Sequence, residues 1–132
     1  MNDIKELKDD ILEKITGGDS TPISSLDGWI EGTAKAYGGS TDPSSSSVTA
    51  TGESLDDYSM GVSIPMSWPN YYTYFGRSIE IKYGGTTVVA RINDCGNLAD
   101  GISLGLQPGV FKAFLFETCS EWGTRQVSYR IF

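Results

Sequence analysis

The run Ser78-Ile79-Glu80-Ile81-Lys82-Tyr83-Gly84-Gly85-Thr86-Thr87-Val88-Val89-Ala90-Arg91-Ile92-Asn93-Asp94-Cys95-Gly96 decides the fold. Its two halves are rich in β-branched residues, and Gly84-Gly85 between them supplies the positive-φ pair that a two-residue hairpin turn requires. The run therefore predicts two antiparallel strands. The second strand ends on Asn-Asp-Cys-Gly, although Asn and Gly alone would meet the chemistry of a turn. Asp94 either accepts backbone N–H groups in a local turn or carries a task of its own.

Outward from this hairpin, short runs bounded by Gly, Ser, Asp and Pro predict further strands at GTAKAYG, SVTATGE, MGVSIPM and the terminal VSYRIF. Asp42 to Ser47, DPSSSS, reads as a loop, and Pro108 to Leu115 has Pro at a helix start and apolar residues three and four apart, which predicts one short helix. At the other end of the chain, Ile4, Leu7, Ile11, Leu12 and Ile15 recur at helical spacing. An amphipathic helix is expected over residues 2–16, with Asp3 as cap and Gly17-Gly18 as stop, followed by a linker-like GGDSTPISS. The division is residues 1–28 for helix and linker and 29–132 for one mainly β domain. That helix packs on its own domain or an identical chain, or docks on a partner.

At 132 residues the chain has the length of one domain, and 39% hydrophobic residues are enough for one core. A net charge of −7 argues against a nucleic-acid partner, because affinity for a phosphate backbone rests on clustered Lys and Arg. No apolar run approaches the roughly 20 residues that span a bilayer, and MNDIKELKDD lacks the basic start and apolar stretch of an export signal. This fits an intracellular protein, a mature form, or a protein delivered without a signal, such as a phage particle component. There is no histidine. Ser-His-Asp and Cys-His nucleophile systems and most zinc sites are thereby removed, and neither a metal nor a cofactor is expected. Cys95 and Cys119 do not have CxxC spacing; they form one disulfide or remain two buried thiols.

Four segments in order resemble the double-psi β-barrel family that includes bacterial rare lipoprotein A, plant expansins and barwin. Tyr37-Gly38 followed by Thr49-Ala50-Thr51-Gly52-Glu53 is similar to "YG…TASGE", and Val88 to Gly96 is similar to "VVVRINDRG". Gly101 to Phe114 resembles "GRIIDLSxxAAxxLG", and Gly123 to Arg130 resembles the "G…PVxYRR" end of expansins. The resemblance covers about residues 32–132 and implies a six-stranded double-psi β-barrel with one short helix; the expected N-terminal amphipathic helix precedes it. The expected location is secreted, in a cell wall or in a phage particle.

In the lytic members of that family the Glu of TASGE and the Asp of RINDRG lie in a groove that binds peptidoglycan glycan strands. The resemblance implies Glu53 and Asp94 as the catalytic pair of a lytic transglycosylase, with Asp94 as general acid/base and Glu53 as its partner or an orienting group. It also implies that Cys95 is stapled to Cys119 and that peptidoglycan or another polysaccharide is the partner. The family's histidine falls near Ile64 and the Asp of IIDLS falls at Gly105. Those departures favour a non-catalytic, expansin-like polysaccharide-binding module. A structural part of a phage tail, docking through residues 2–16, is a third reading.

Sugar rings stack on aromatic faces, and Trp68-Pro69-Asn70-Tyr71-Tyr72-Thr73-Tyr74-Phe75 is dense in them. These rings either line the groove or fill the barrel. Trp68 and one of Tyr71, Tyr72 or Tyr74 are expected at the surface. Tyr37, Arg91 and Asn93 complete the candidate binding set, with Arg91 pointing outward or pairing with Asp94 or Glu53. Asp56 and Asp57 read as a solvated acidic loop rather than a cation site.

Overall fold

The computed structural model describes residues 28–132; the helix expected over residues 2–16 lies outside them. In chain order the elements are β1 (Ile30–Ala36), β2 (Gly61–Pro65), a 3-10 turn (Tyr71–Tyr74), β3 (Ser78–Tyr83), β4 (Thr86–Gly96), β5 (Leu104–Leu106), α1 (Pro108–Ala113), α2 (Cys119–Trp122) and β6 (Thr124–Ile131). The six strands close into a barrel in the order β1-β5-β2-β4-β3-β6. The expected mainly β six-stranded barrel is present, carrying few and short helices.

The hairpin that opened the sequence reading joins β3 to β4. Tyr83 faces Thr86 across the turn, and Gly84 and Gly85 have φ of 58° and 84°, the conformation for which glycine is suited. Alternation then sends Val88, Ala90 and Ile92 inward and leaves Val89 and Arg91 outward. Ala34, Val62, Ile64, Ile79, Ile81, Leu104, Leu106 and Val127 meet them in the core. Each fully buried Ile or Leu contributes roughly 1.5–3 kcal/mol of hydrophobic stabilisation. Inward-facing positions close the barrel because outward ones have nothing to pack against.

Alternation breaks at the end of β4. Ile92 and Asn93 are adjacent and both buried, and the pairing with β2 shifts there, Val62 facing Ile92 while Ser63 faces Asp94. Asn93 is thus the extra residue of a β-bulge. The bulge reverses the inside-outside sense of the strand end and aims Asp94 away from the core. β2 accommodates it with Gly61, where a Cβ would collide with the Asn93 amide group.

Three expectations are corrected here. The segment SVTATGE is no strand: Val48 and Ser54 form an isolated bridge around a turn in which Gly52 N–H donates to Thr49 O and Gly52 has φ of 90°. A second helix, α2, follows α1; its cap is Thr118, whose side chain accepts from Glu121 N–H. Trp68 is buried, at 6% exposure, because it packs edge-on against Tyr74 and stacks on Tyr129, with ring centroids 5.6 and 6.5 Å away. It belongs to the core, not to a sugar-stacking surface.

Candidate functional site

The turn at residues 49–53 folds over the bulged end of β4, so two segments separated by about 40 residues of chain become one site. Ala50 N–H donates to Asp94 Oδ1 at 2.9 Å, Thr51 N–H to Asn93 O at 3.3 Å, and Asn93 Nδ2 to Glu53 Oε1 at 2.8 Å. Asp94 receives two more bonds, from Cys95 N–H to Oδ1 at 2.9 Å and from the Tyr37 hydroxyl to Oδ2 at 2.7 Å. An ionised carboxylate offers about four acceptor positions. Three are filled, and the remaining one is on Oδ2.

Gln107, which the sequence reading did not single out, ties the site together from below. It is fully buried, and its Nε2 donates both to Tyr37 OH at 2.9 Å and to Asn93 Oδ1 at 2.7 Å. Asp94, Tyr37, Gln107, Asn93 and Glu53 therefore form one chain of hydrogen bonds. Gln107 Oε1 is buried without a partner among the described residues. Burial, then the charge of Asp94, pushes the Tyr37 phenol well above its ordinary value, so at neutral pH it is a fixed donor.

Asp94 opens into a cleft of about 820 Å³ whose walls include Tyr37, Asp42, Ser63, Asn97, Ile102 and Ser120. Cys95 and Cys119 also line it, and both are free. The implied staple is therefore corrected: Cys119 Sγ instead donates to Gly38 O at 3.5 Å, and Cys119 N–H to Thr41 Oγ1 at 3.0 Å, so this residue fastens α2 to the loop after β1. Burial first, then neighbouring carboxylates, raises both thiols above their ordinary value. Neither is an activated nucleophile.

Other candidates stand elsewhere. Glu53 does not line the cleft, and one of its carboxylate oxygens is engaged by Asn93. Tyr71, Tyr72 and Tyr74 lie on the 3-10 turn and Trp68 in the core; none borders the cleft, although Tyr72 is 60% exposed. Arg91 is exposed and its guanidinium donates to Gly76 O at 3.0 Å, the outward alternative. At position 105, where the family pattern has Asp, a Cβ would press on the Tyr37 ring and on Ser63. Tyr37 occupies the space that a side chain there would need.

Asp56 Oδ1 accepts from Tyr58 N–H, and Asp57 Oδ1 from Ser40 N–H, which holds the Asp57 carboxyl below its ordinary value. Both serve turns. Among the described residues no group of three or more His, Cys, Asp or Glu is placed to hold a metal ion, and no helix is long and apolar enough to cross a membrane.

No family model and no curated protein matches the chain. Among solved structures, the barrel is similar to Streptomyces papain inhibitor (SPI), with a TM-score of 0.58 and 20% identity over 83% of this chain and 98% of that one. At that identity the similarity establishes a shared barrel fold.

Proposed function

We propose that the chain is a polysaccharide-binding barrel of the cell-wall type, which holds a glycan strand in the Asp94 cleft without cutting it. The observation that carries this reading is the state of Asp94: three donors hold its carboxylate in place, and one acceptor position on Oδ2 stays open for a sugar hydroxyl. The meeting of the 49–53 turn with the end of β4 supports the resemblance to rare lipoprotein A and expansins. So does the strand order, with parallel neighbours β1·β5 and β2·β4 in an otherwise antiparallel barrel. Binding rather than cleavage is favoured because Glu53 is outside the cleft and engaged by Asn93, so no second carboxylate from the family pair faces the substrate path.

The test is co-sedimentation with purified peptidoglycan, with mass analysis of whatever is released. The wild type is expected to sediment and to release nothing. Asp94→Asn, which swaps a charged acceptor for a neutral one, weakens retention about tenfold. Fragments with anhydro ends from the wild type, absent with Asp94→Asn, would replace this reading with a lytic transglycosylase in which the sugar's own hydroxyl is the nucleophile. Failure of the wild type to sediment ends the glycan reading.

A second reading is a protein-binding barrel. It is favoured by the solved neighbour, named as a papain inhibitor, 98% of whose length is covered by this match. Inhibition of papain by the wild type is its direct test.

A further inference from the structure

The Asp94 cleft holds a charge that the hydrogen-bond chain around Asp94 does not use. Lys35 on β1 faces Gly105 on β5, Gly105 faces Ser63 on β2, and Ser63 faces Asp94 on β4. These residues form one row across four neighbouring strands, and all four line the cleft. Partners in register project to the same face of a sheet, so Lys35 and Asp94 stand at the two ends of one floor. Three strand spacings of about 4.8 Å put their backbones roughly 14 Å apart. Between them the residues are small, and the Tyr37 ring covers the gap, 3.1 Å from where a Cβ on Gly105 would lie.

The charged walls of the cleft are Lys35, Asp42 and Asp94. Both carboxylates are served from within the chain. Asp42 accepts from Gly38 N–H at 2.9 Å and from the Ser44 hydroxyl at 3.1 Å, and Asp94 accepts from its three donors. Lys35 differs from them. Its side chain is exposed, and its ammonium has no ion-pair or hydrogen-bond partner among the described residues. The chain has 17 acidic residues against 10 basic ones, yet no described carboxylate pairs with this cation. An ammonium is a compact charge with three donors and no acceptor, so what completes it is an anion.

We infer that Lys35 is the anion-holding end of the cleft, and that the glycan bound there is an acidic one, which offers a hydroxyl to Asp94 and a carboxylate to Lys35. This inference deepens the glycan-binding reading and rests on it. The ionised Asp94 carboxylate only accepts and Lys35 only donates, so the two ends demand opposite groups. A strand that carries both is thereby given one direction along the cleft, and a neutral strand satisfies only the Asp94 end.

The experiment is co-sedimentation of the wild type, Lys35→Gln, Lys35→Arg and Lys112→Gln with peptidoglycan, which carries carboxylates, and with chitin, a neutral glycan. Lys112 lies on α1 outside the cleft and controls for net charge. The wild type is expected to favour peptidoglycan. Lys35→Gln should bind it about threefold more weakly, while Lys35→Arg and Lys112→Gln match the wild type. Rising salt should weaken the wild type on peptidoglycan and affect Lys35→Gln much less. Melting temperatures should agree, since the exposed ammonium holds nothing in the barrel. Free oligogalacturonate, with its carboxylates on the sugars, should compete, and oligoglutamate should not. Competition by oligoglutamate instead would move the anion to a peptide and overturn the inference. Wild-type binding to chitin as strong as to peptidoglycan overturns it too, as does an equal loss from Lys35→Gln and Lys112→Gln; both leave the glycan reading standing. A wild type that sediments with neither glycan ends both.

Discussion

The two halves of β4 obey different rules. From Thr86 to Arg91 the strand is an ordinary hairpin arm, with alternate residues inward and a register set by Gly84-Gly85. From Ile92 to Gly96 the alternation stops, an extra residue enters, and a buried Asn needs partners supplied by Glu53 and Gln107. The first half is specified by apolar burial, which tolerates substitution of similar shape. The second is specified by hydrogen bonds in a closed space, where a lost partner leaves a desolvated group.

The largest break in this contrast comes from Gly61→Ala. The added methyl meets the Asn93 amide, so either the bulge or the strand pairing must move, and we expect about 3 kcal/mol of destabilisation in denaturant unfolding. Tyr37→Phe should follow at about 2 kcal/mol, because it strips one bond each from Asp94 and Gln107 while keeping the ring. Retention on glycan should fall with it. If Tyr37→Phe were neutral in both assays, the network would be incidental to the site.

A pH titration sharpens the contrast. The Tyr37 phenol is raised above its ordinary value of 10.0 by burial and by Asp94, so the unfolded chain loses this proton first. Its contribution is fully present below about pH 10 and falls as pH rises beyond that. Tyr37→Phe should flatten the alkaline loss of stability relative to wild type. On the hairpin half, Val89→Thr should change stability by less than about 0.5 kcal/mol, since its side chain is exposed on a strand that suits threonine equally. Smallest of all, a reductant should leave the melting temperature unchanged, because Cys95 and Cys119 are free.

What the sequence disclosed follows the same division. The hairpin was legible because its signals are local: a Gly pair and β-branched runs. The start of α1 was legible from Pro108 for the same reason. By contrast, β5 spans only Leu104–Leu106 and is defined by pairing with β1 and β2, and Ile102 to Gln107 was not among the expected strands. The bulge at Asn93 exists only relative to Val62 and Ser63, and no periodicity within β4 announces it. Trp68 was misread because its burial depends on Tyr129, which is distant in the chain. Asp94, Asn93 and Glu53 were named through resemblance, whereas Gln107 was missed; a lone amide between Leu106 and the proline opening α1 was the available signal.

The strand order carries a consequence for how the chain is made. β1 is the first strand among the described residues, yet both of its neighbours, β5 and β6, lie within residues 104–132. During synthesis β1 must therefore wait, with both edges unpaired, until β5 and β6 have left the ribosome. β6 also pairs with β3, so it completes the ring from both sides. A ribosome that stops before Thr124 releases a sheet with open edges on β1 and β3, a template for pairing with other chains. Quality control of this barrel is thus concentrated at the arrival of β6.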